Sequence, residues 1–240
     1  MKKTGLIRNA CAVAFVVAML MAVAFSQNAL QQKVAALKEA SAQDKQTLAQ
    51  YTWVEQVTIS LKGEQKKQEH FQVRLGPDGK PQKTSMDAPS APSSANSGRG
   101  RREGRLKEHV VEKKKEEYKD YADQIKALIQ QYVPPDKDKL QQAFAQGNIT
   151  LGTVPGAPTE SSLVISNYIK PGDKMTIVIN GKDIASVSIA SYLDDPKDAV
   201  NDTVQFSRIP GGPNHVSSQT INGVSKQLTI AIQNTNYQKL

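Results

Sequence analysis

Cysteine is almost absent from this chain of 240 residues: Cys11 is the only one, and it lies in an apolar N-terminal segment. A single thiol excludes an intramolecular disulfide framework and a zinc site built from cysteines. The fold must therefore depend on an ordinary hydrophobic core. The roughly 210 residues that follow the N-terminal segment are enough for one such domain, a length that β-rich proteins often reach.

Histidine is also scarce, with only His70, His109 and His215, which are far apart in the sequence. The chain has none of the common motifs for nucleophilic catalysis, zinc-dependent hydrolysis, or phosphate and dinucleotide binding. Its acidic stretch from Asp194 to Asp202 lacks the glycine and the final glutamate of an EF-hand loop, which favours a polar turn over a calcium site. We therefore predict that the protein is not an enzyme and holds no metal or cofactor.

Long apolar runs are missing as well. The longest, Ala10–Phe25, has sixteen residues, fewer than the ~20 that a membrane-spanning helix needs. Basic residues precede it, and small residues ending with Ala24 and Ser26 follow it, which favours a secretory signal peptide over 1–26 rather than an uncleaved membrane anchor. We predict an exported, periplasmic protein whose single domain spans 27–240, with membrane association as an alternative.

Isoleucine, leucine, valine, phenylalanine, tyrosine and tryptophan are all absent from Gly76 to Arg105. Such a segment cannot bury enough apolar surface to offset the entropy of ordering it, so we predict a disordered basic loop at about 84–105. Its basic cluster consists of Arg99, Arg101, Arg102 and Arg105. A solvated loop is the favoured interpretation, and contact with an anionic membrane surface is the alternative. Nucleic acid is not expected, because no aromatic residue for base stacking lies between Phe71 and Tyr118.

Three segments have helical periodicity, and the second supplies most of the candidate ligand residues. The first runs from Gln27 to just before Tyr51, and the third begins at an Asp136 cap and ends near Gly147. The apolar face of the second, Leu106–Tyr132, predicts a lid over a ligand cavity, although tyrosines at helical spacing also occur in a plain core. The candidate ligand residues are Tyr118, Tyr121, Ile125, Leu128 and Tyr132, together with Trp53 on the first predicted strand.

The remaining segments alternate apolar and polar residues, as strands with one buried face do. Strands are predicted at Tyr51–Leu61, Phe71–Leu75 and about 80–86, and then at Ser162–Ile169, Met175–Ile179, Asp183–Tyr192, Thr203–Ile209, His215–Ile221 and Ser225–Gln233. Two Asn-Gly pairs, Asn180-Gly181 and Asn222-Gly223, predict type I′ hairpin turns. The predicted fold is α+β: a curved antiparallel sheet or incomplete β-barrel of about 8–9 strands packed against two to three helices.

This order of elements resembles the LolA-like superfamily of periplasmic lipoprotein carriers. The resemblance rests on the Tyr51–Leu61 and Phe71–Leu75 strands, the Leu106–Tyr132 helix and the strands from Ser162 to Gln233, and no family motif assigns a site residue. It implies an incomplete barrel over helices, with a cavity for an apolar ligand: an acyl chain, a lipid or a lipidated protein. The alternative is a periplasmic sensor or regulatory domain, or a structural envelope protein, acting through a protein partner.

Overall fold

The structure is a computed structural model that describes residues 32, 35–37, 39–87, 101–133 and 135–240. For residues 101–112, 115 and 137 it describes the backbone alone. The predicted signal peptide at 1–26 and most of the predicted basic loop, including Arg99, lie outside the described residues. So do the side chains of Arg101, Arg102 and Arg105. What the sequence predicts for these parts stays a prediction.

The ten strands of the described residues belong to one antiparallel sheet. They are β1 (Tyr51–Leu61), β2 (Glu64–Leu75), β3 (Pro81–Ser85), β4 (Ile149–Val154), β5 (Ala157–Ser166), β6 (Lys174–Asn180), β7 (Asp183–Tyr192), β8 (Ala199–Arg208), β9 (Asn214–Gly223) and β10 (Leu228–Lys239). Their order is β3-β2-β1-β10-β9-β8-β7-β6-β5-β4, so β1 pairs with the last strand, and β3 and β4 form two open edges. The predicted α+β fold with an open antiparallel sheet is confirmed, but with ten strands instead of about eight or nine.

Two hairpins account for the additional strand length. β2 begins at Glu64 because Lys62 and Gly63, with φ of 54° and 79°, form a tight type I′ turn after β1. β4 pairs with β5 across a turn that contains Gly156, whose φ is 80°. Four of the six residues of β4 are exposed, so this edge strand lacks the apolar alternation from which strands are predicted.

The two Asn-Gly pairs have different roles. The turn at Asn180-Gly181 does join β6 to β7, but Asn180 pairs with Asp183, so the two loop residues are Gly181 and Lys182. Only the first of them, Gly181, has a positive φ, 60°, so the turn is of type II′ and not the predicted type I′. The predicted turn at Asn222-Gly223 is wrong, because both residues lie in β9 and pair with Thr229 and Leu228 of β10. The chain reverses direction only after Gly223.

In the described part of the chain, three helices accompany the sheet: α1 over residues 32, 35–37 and 39–48, α2 (Arg101–Ile129) and α3 (Lys137–Ala145). α3 begins as predicted, because the Asp136 carboxylate accepts hydrogen bonds from the backbone N–H groups of Asp138 and Lys139. α2 begins earlier than predicted, at Arg101, and β3 extends to Ser85. Of the residues in the predicted loop at 84–105, 84–85 thus lie in β3 and 101–105 in α2.

The hydrophobic core lies between α2, α3 and one face of the sheet, which we call the inner face. Its buried members are Tyr121, Ile125, Leu128, Tyr132, Ala143, Leu163, Ile165, Tyr168, Met175, Ile189, Leu193, Val200 and Leu228. The opposite, outer face carries mostly serine, threonine, asparagine and glutamine, as in antiparallel sheets that bury one side. Within the described part of the chain, no helix is long and apolar enough to cross a membrane.

Candidate ligand site on the inner face of the sheet

One end of the inner face is covered by α2. Residues paired directly across antiparallel strands share a face, and the register places Leu61, Leu228 and Gly223 in one row across β1, β10 and β9. A Cβ atom at Gly223 would lie 2.6 Å from Tyr121 Cε1 and 2.7 Å from Ile125 Cδ1. α2 therefore packs directly on the backbone of β9, which closes this end of the face.

The candidate ligand residues of the predicted Leu106–Tyr132 helix take part in this packing, although the helix ends at Ile129 and Tyr132 lies in the turn after it. Four of them are at most 3% exposed: Tyr121, Ile125, Leu128 and Tyr132. Tyr118 is half-buried at the margin of the helix. The structure thus brings four of the five residues together, in a packed core. Trp53 does not join them, because it precedes Leu61 by eight residues on β1, roughly 25 Å along the strand.

Hydrogen bonds hold the hydroxyl groups of the two buried tyrosines. Tyr132 Oη donates to Asp173 Oδ2 at 2.6 Å and lies 2.8 Å from Ser191 Oγ. Burial, together with the neighbouring Asp173 carboxylate, raises the pKa of Tyr132. Tyr121 Oη donates to Asp198 Oδ1 at 2.7 Å, and burial raises the pKa of Tyr121 as well. Both phenols are neutral and engaged within the fold.

Beyond the part covered by α2, the inner face carries aliphatic side chains that are only half-buried. We call Val57, Ile232, Val204, Val187 and Ile177 the aliphatic strip. The register pairs Val57 with Ile232, and it pairs Val187 with both Val204 and Ile177. Each side chain keeps part of its surface exposed to solvent. The strip is therefore an apolar surface that the described helices leave partly uncovered.

A carboxylate–amide pair, Asp202 with Gln219, interrupts the apolar surface at the strip. Asp202 is 2% exposed and lies between Ile221 and Ile189 across the strands. Gln219, which pairs with Ile232 and Val204 in the row of the strip, places its Nε2 atom 3.1 Å from both carboxylate oxygens of Asp202. Burial raises the pKa of Asp202, because the charged form loses its hydration, and the hydrogen bonds from Gln219 oppose this shift.

Aromatic and polar side chains occupy the far end of the inner face. We call Trp53, Glu55, His215, Asn234 and Tyr237 the polar–aromatic cluster. The rings of Trp53 and Tyr237 stack with centroids 5.6 Å apart, and the ring of His215 lies 4.0 Å from that of Tyr237. Glu55 and Asn234 face each other across β1 and β10. Contacts between β1, β9 and β10 thus bring the cluster together.

Three buried polar atoms of the cluster have no hydrogen-bond partner among the described residues: Trp53 Nε1, His215 Nδ1 and Asn234 Oδ1. Trp53 and His215 are 6% and 7% exposed. Buried polar atoms nearly always have a partner in folded proteins, because an unmade hydrogen bond costs about 1–3 kcal/mol. Burial lowers the pKa of His215 and outweighs the opposing effect of the Pro213 backbone, so that the ring is neutral at pH 7. The cluster therefore has unused hydrogen-bonding capacity.

Polar contacts attach α1 to the same end of the sheet. The Asp44 carboxylate accepts from the backbone N–H of Asn214 at 3.0 Å and lies 3.3 Å from Arg208 Nη1. Arg208 also pairs with Asp183 at 2.5 Å, and this guanidinium holds the pKa of Asp183 below its usual range. α1 is thus attached through charged side chains, whereas α2 is attached through apolar packing.

No family model, curated protein or solved structure matches this chain. The LolA-like resemblance therefore stays a prediction. In the residues that the structure describes, no group of three or more histidine, cysteine, aspartate or glutamate side chains is placed to hold a metal ion. A surface pocket of about 280 Å³ next to α3 is bounded mainly by polar groups, including Lys139, Gln142 and Asn167, and contains none of the candidate ligand residues.

Sequence reasoning identifies Trp53 as a candidate but not the residues around it. His215 and Tyr237 lie on β9 and β10, and only the strand register brings them next to β1. The local signal for the aliphatic strip is present, because apolar residues alternate on β6, β7 and β10. Which of those residues a helix covers is not visible in the alternation.

Proposed function

We propose that this protein is an exported, periplasmic carrier or binding protein for an apolar ligand: an acyl chain, a lipid or a lipidated protein. The aliphatic strip is the observation that carries the proposal. It gives the inner face five half-buried aliphatic side chains in one row, in which Gln219 of β9 is the one polar member. A ligand chain along this row would remove apolar surface from water, a gain of about 25 cal/mol per Å².

The chemistry of the two faces supports an apolar ligand on the inner one. On β8, Val204 belongs to the strip, and the adjacent Thr203 pairs with Ser188 and Thr220 on the outer face. Both Val204 and Thr203 are half-buried. Partly exposed aliphatic surface is thus concentrated on the face that the helices also line. A ligand there would contact both the sheet and the helices beside it.

α2 provides one wall of the proposed site. Ile59, Ile230 and Ile221 form the row between the strip and the closed end. All three pack partly against the core, as do Val187 and Ile177 at the β6–β7 end of the strip. A ligand on the strip would meet this border without displacing buried residues such as Leu128. Loading of the strip then requires no opening of the core beneath α2, the predicted lid.

A fluorescent acyl probe, added to protein purified without detergent, tests the site. The wild-type protein should bind the probe at micromolar concentration, and native mass spectrometry should detect lipid that copurifies with it. Val204→Asp places a charge in the strip and should weaken binding about tenfold or more. Thr203→Asp is the matched control on the outer face of the same strand, and it should bind as the wild type does.

Two results would contradict the carrier proposal. One is a wild-type protein that binds neither the probe nor copurified lipid. The other is equal weakening by Val204→Asp and Thr203→Asp in proteins that both remain folded. Either result would favour the alternative, a sensor or structural envelope protein that acts through a protein partner.

Export is tested separately by the intact mass of protein recovered from the periplasm. The mature chain should begin close to Gln27, because small residues at Ala24 and Ser26 follow the apolar run. A periplasmic protein that retains residues 1–26 would contradict the signal peptide, and recovery only from the cytoplasm would contradict export.

A further inference from the structure

We infer that the polar–aromatic cluster binds the uncharged head group of a single-chain amphiphile whose tail lies on the aliphatic strip. The inference rests on the proposed function and adds the class of ligand to it. That class is an acyl ester or amide that also offers a hydrogen-bond donor, as a monoacylglycerol does. Three buried polar atoms without partners among the described residues, at one end of an apolar row, carry it.

The unpartnered atoms define what the head group must offer. Trp53 Nε1–H can only donate, so it needs an acceptor. Asn234 Nδ2 already donates to the Val216 carbonyl at 2.9 Å, which leaves Asn234 Oδ1 as an acceptor that needs a donor. His215 Nδ1 can do either, according to the tautomer, and its Nε2 atom lies 3.4 Å from Ser207 Oγ. A carbonyl together with a hydroxyl or amide N–H supplies both requirements.

The cluster and the strip are continuous on the inner face. Glu55 and Asn234 pair across β1 and β10, and Val57 and Ile232 are the next pair on the same face. Side chains two positions apart on a strand are about 7 Å apart, so a chain leaving the cluster reaches the strip directly. From β1 to β6 the row spans five strand spacings, about 24 Å. That span exceeds the ~15 Å that the chains of one membrane leaflet occupy.

The charges around the cluster favour a neutral head group over a carboxylate. Glu55 is 7% exposed and accepts a hydrogen bond from Lys83 Nζ, so its charge is paired. Burial lowers the pKa of His215, and the ring therefore supplies no positive charge at pH 7. A fatty-acid carboxylate placed here would lose its hydration next to the carboxylate of Glu55, which is costly. An ester or amide avoids this cost.

Trp53 is the only tryptophan in the chain, so one indole N–H signal in a nitrogen–proton correlation spectrum reports directly on the cluster. Monooleoylglycerol, methyl oleate and oleate, which share one chain, are titrated into the mature protein. Monooleoylglycerol should bind about five- to tenfold more tightly than methyl oleate, which has no donor for Asn234 Oδ1, and oleate should bind most weakly. Monooleoylglycerol should also shift the indole signal downfield.

Trp53→Phe removes the N–H group but keeps an aromatic ring to stack on Tyr237. It should lower the affinity for monooleoylglycerol about fivefold, the loss of one hydrogen bond. Tyr192→Phe, a control at the end of β7 that pairs with Ala199 away from the cluster and the strip, should leave that affinity unchanged.

Equal affinities for the three ligands without an indole shift would overturn the head-group assignment and leave the carrier proposal standing, with water as the partner of the three atoms. Binding of none of the three would overturn both. If Trp53→Phe does not fold, the ranking of the ligands and the indole signal of the wild type still decide.

Discussion

The two ends of the inner face have the same sequence pattern and differ in what covers them. On β10 and β8, Leu228 and Val200 are 3% and 0% exposed under α2, whereas Ile232 and Val204 on the same two strands are half-buried. These four side chains are chemically alike, so the difference in burial comes from the helix. Alternation therefore selects which residues face inward, and tertiary packing selects which of them are closed off.

Shortening one side chain at each end of the inner face should show the largest difference in stability between the two ends. Leu128→Ala is expected to lower the free energy of unfolding by about 3 kcal/mol, because it removes fully buried surface and leaves a cavity. Ile232→Ala in the strip should cost about 1 kcal/mol, since part of that side chain is already in contact with water. Urea unfolding of both variants measures the two values. Equal losses would show that the strip is as closed as the core.

Because α2 packs closely on β9, we expect a smaller loss of stability from a substitution at Gly223. Gly223→Ala should lower the free energy of unfolding by about 2 kcal/mol, because the added methyl group meets Tyr121 and Ile125 at less than 3.0 Å. Gly152→Ala is the control, since its nearest neighbour would be Ser162 Oγ at 3.6 Å. Thermal unfolding compares the variants. A stable Gly223→Ala protein would contradict the closed end.

The effect of the buried Asp202 carboxylate on stability can be tested with Asp202→Asn. Burial raises the pKa of Asp202 above the value of about 3.9 in the unfolded chain. As the pH rises, the unfolded chain releases its proton first, and the stability of the wild type falls. Asp202→Asn keeps an oxygen for Gln219 and should be more stable than the wild type at pH 7. Urea unfolding from pH 4 to pH 7 should show this gap closing towards pH 4, and a gap independent of pH would contradict the shift.

The smallest expected effect concerns His215 at the cluster end. Burial lowers the pKa of His215 below the value of about 6.5 in the unfolded chain. As the pH falls through about 6.5, the unfolded chain takes up a proton before the folded protein does, so stability declines towards acid pH. Urea unfolding at a series of pH values should show this decline in the wild type and in His70→Gln. His215→Gln should lack it, and a decline equal in all three proteins would rule out His215 as its source.

Elements with a local signal could be predicted. β7 is predicted with its observed bounds, Asp183–Tyr192, because its alternation is complete within ten residues, and the Asp136 cap of α3 depends on neighbours two and three residues away. The prediction of a turn at Asn222-Gly223 is wrong because the role of this glycine depends on residues that are distant in the sequence. The glycine is needed where α2 crosses β9, and that contact joins Gly223 to Tyr121 and Ile125, about a hundred residues earlier in the chain.

Local periodicity predicts the α+β class, the direction in which most side chains face and the apolar stripe of α2, since each depends on a period of two or 3.6 residues. The ligand surface depends on contacts between distant elements. Pairing of β1 with β10 brings Trp53 beside Asn234 and Tyr237, and α2 covers Leu228 but not Ile232. The physical reason is range: a period is a property of neighbouring residues, whereas a ligand surface is what remains after distant elements have packed.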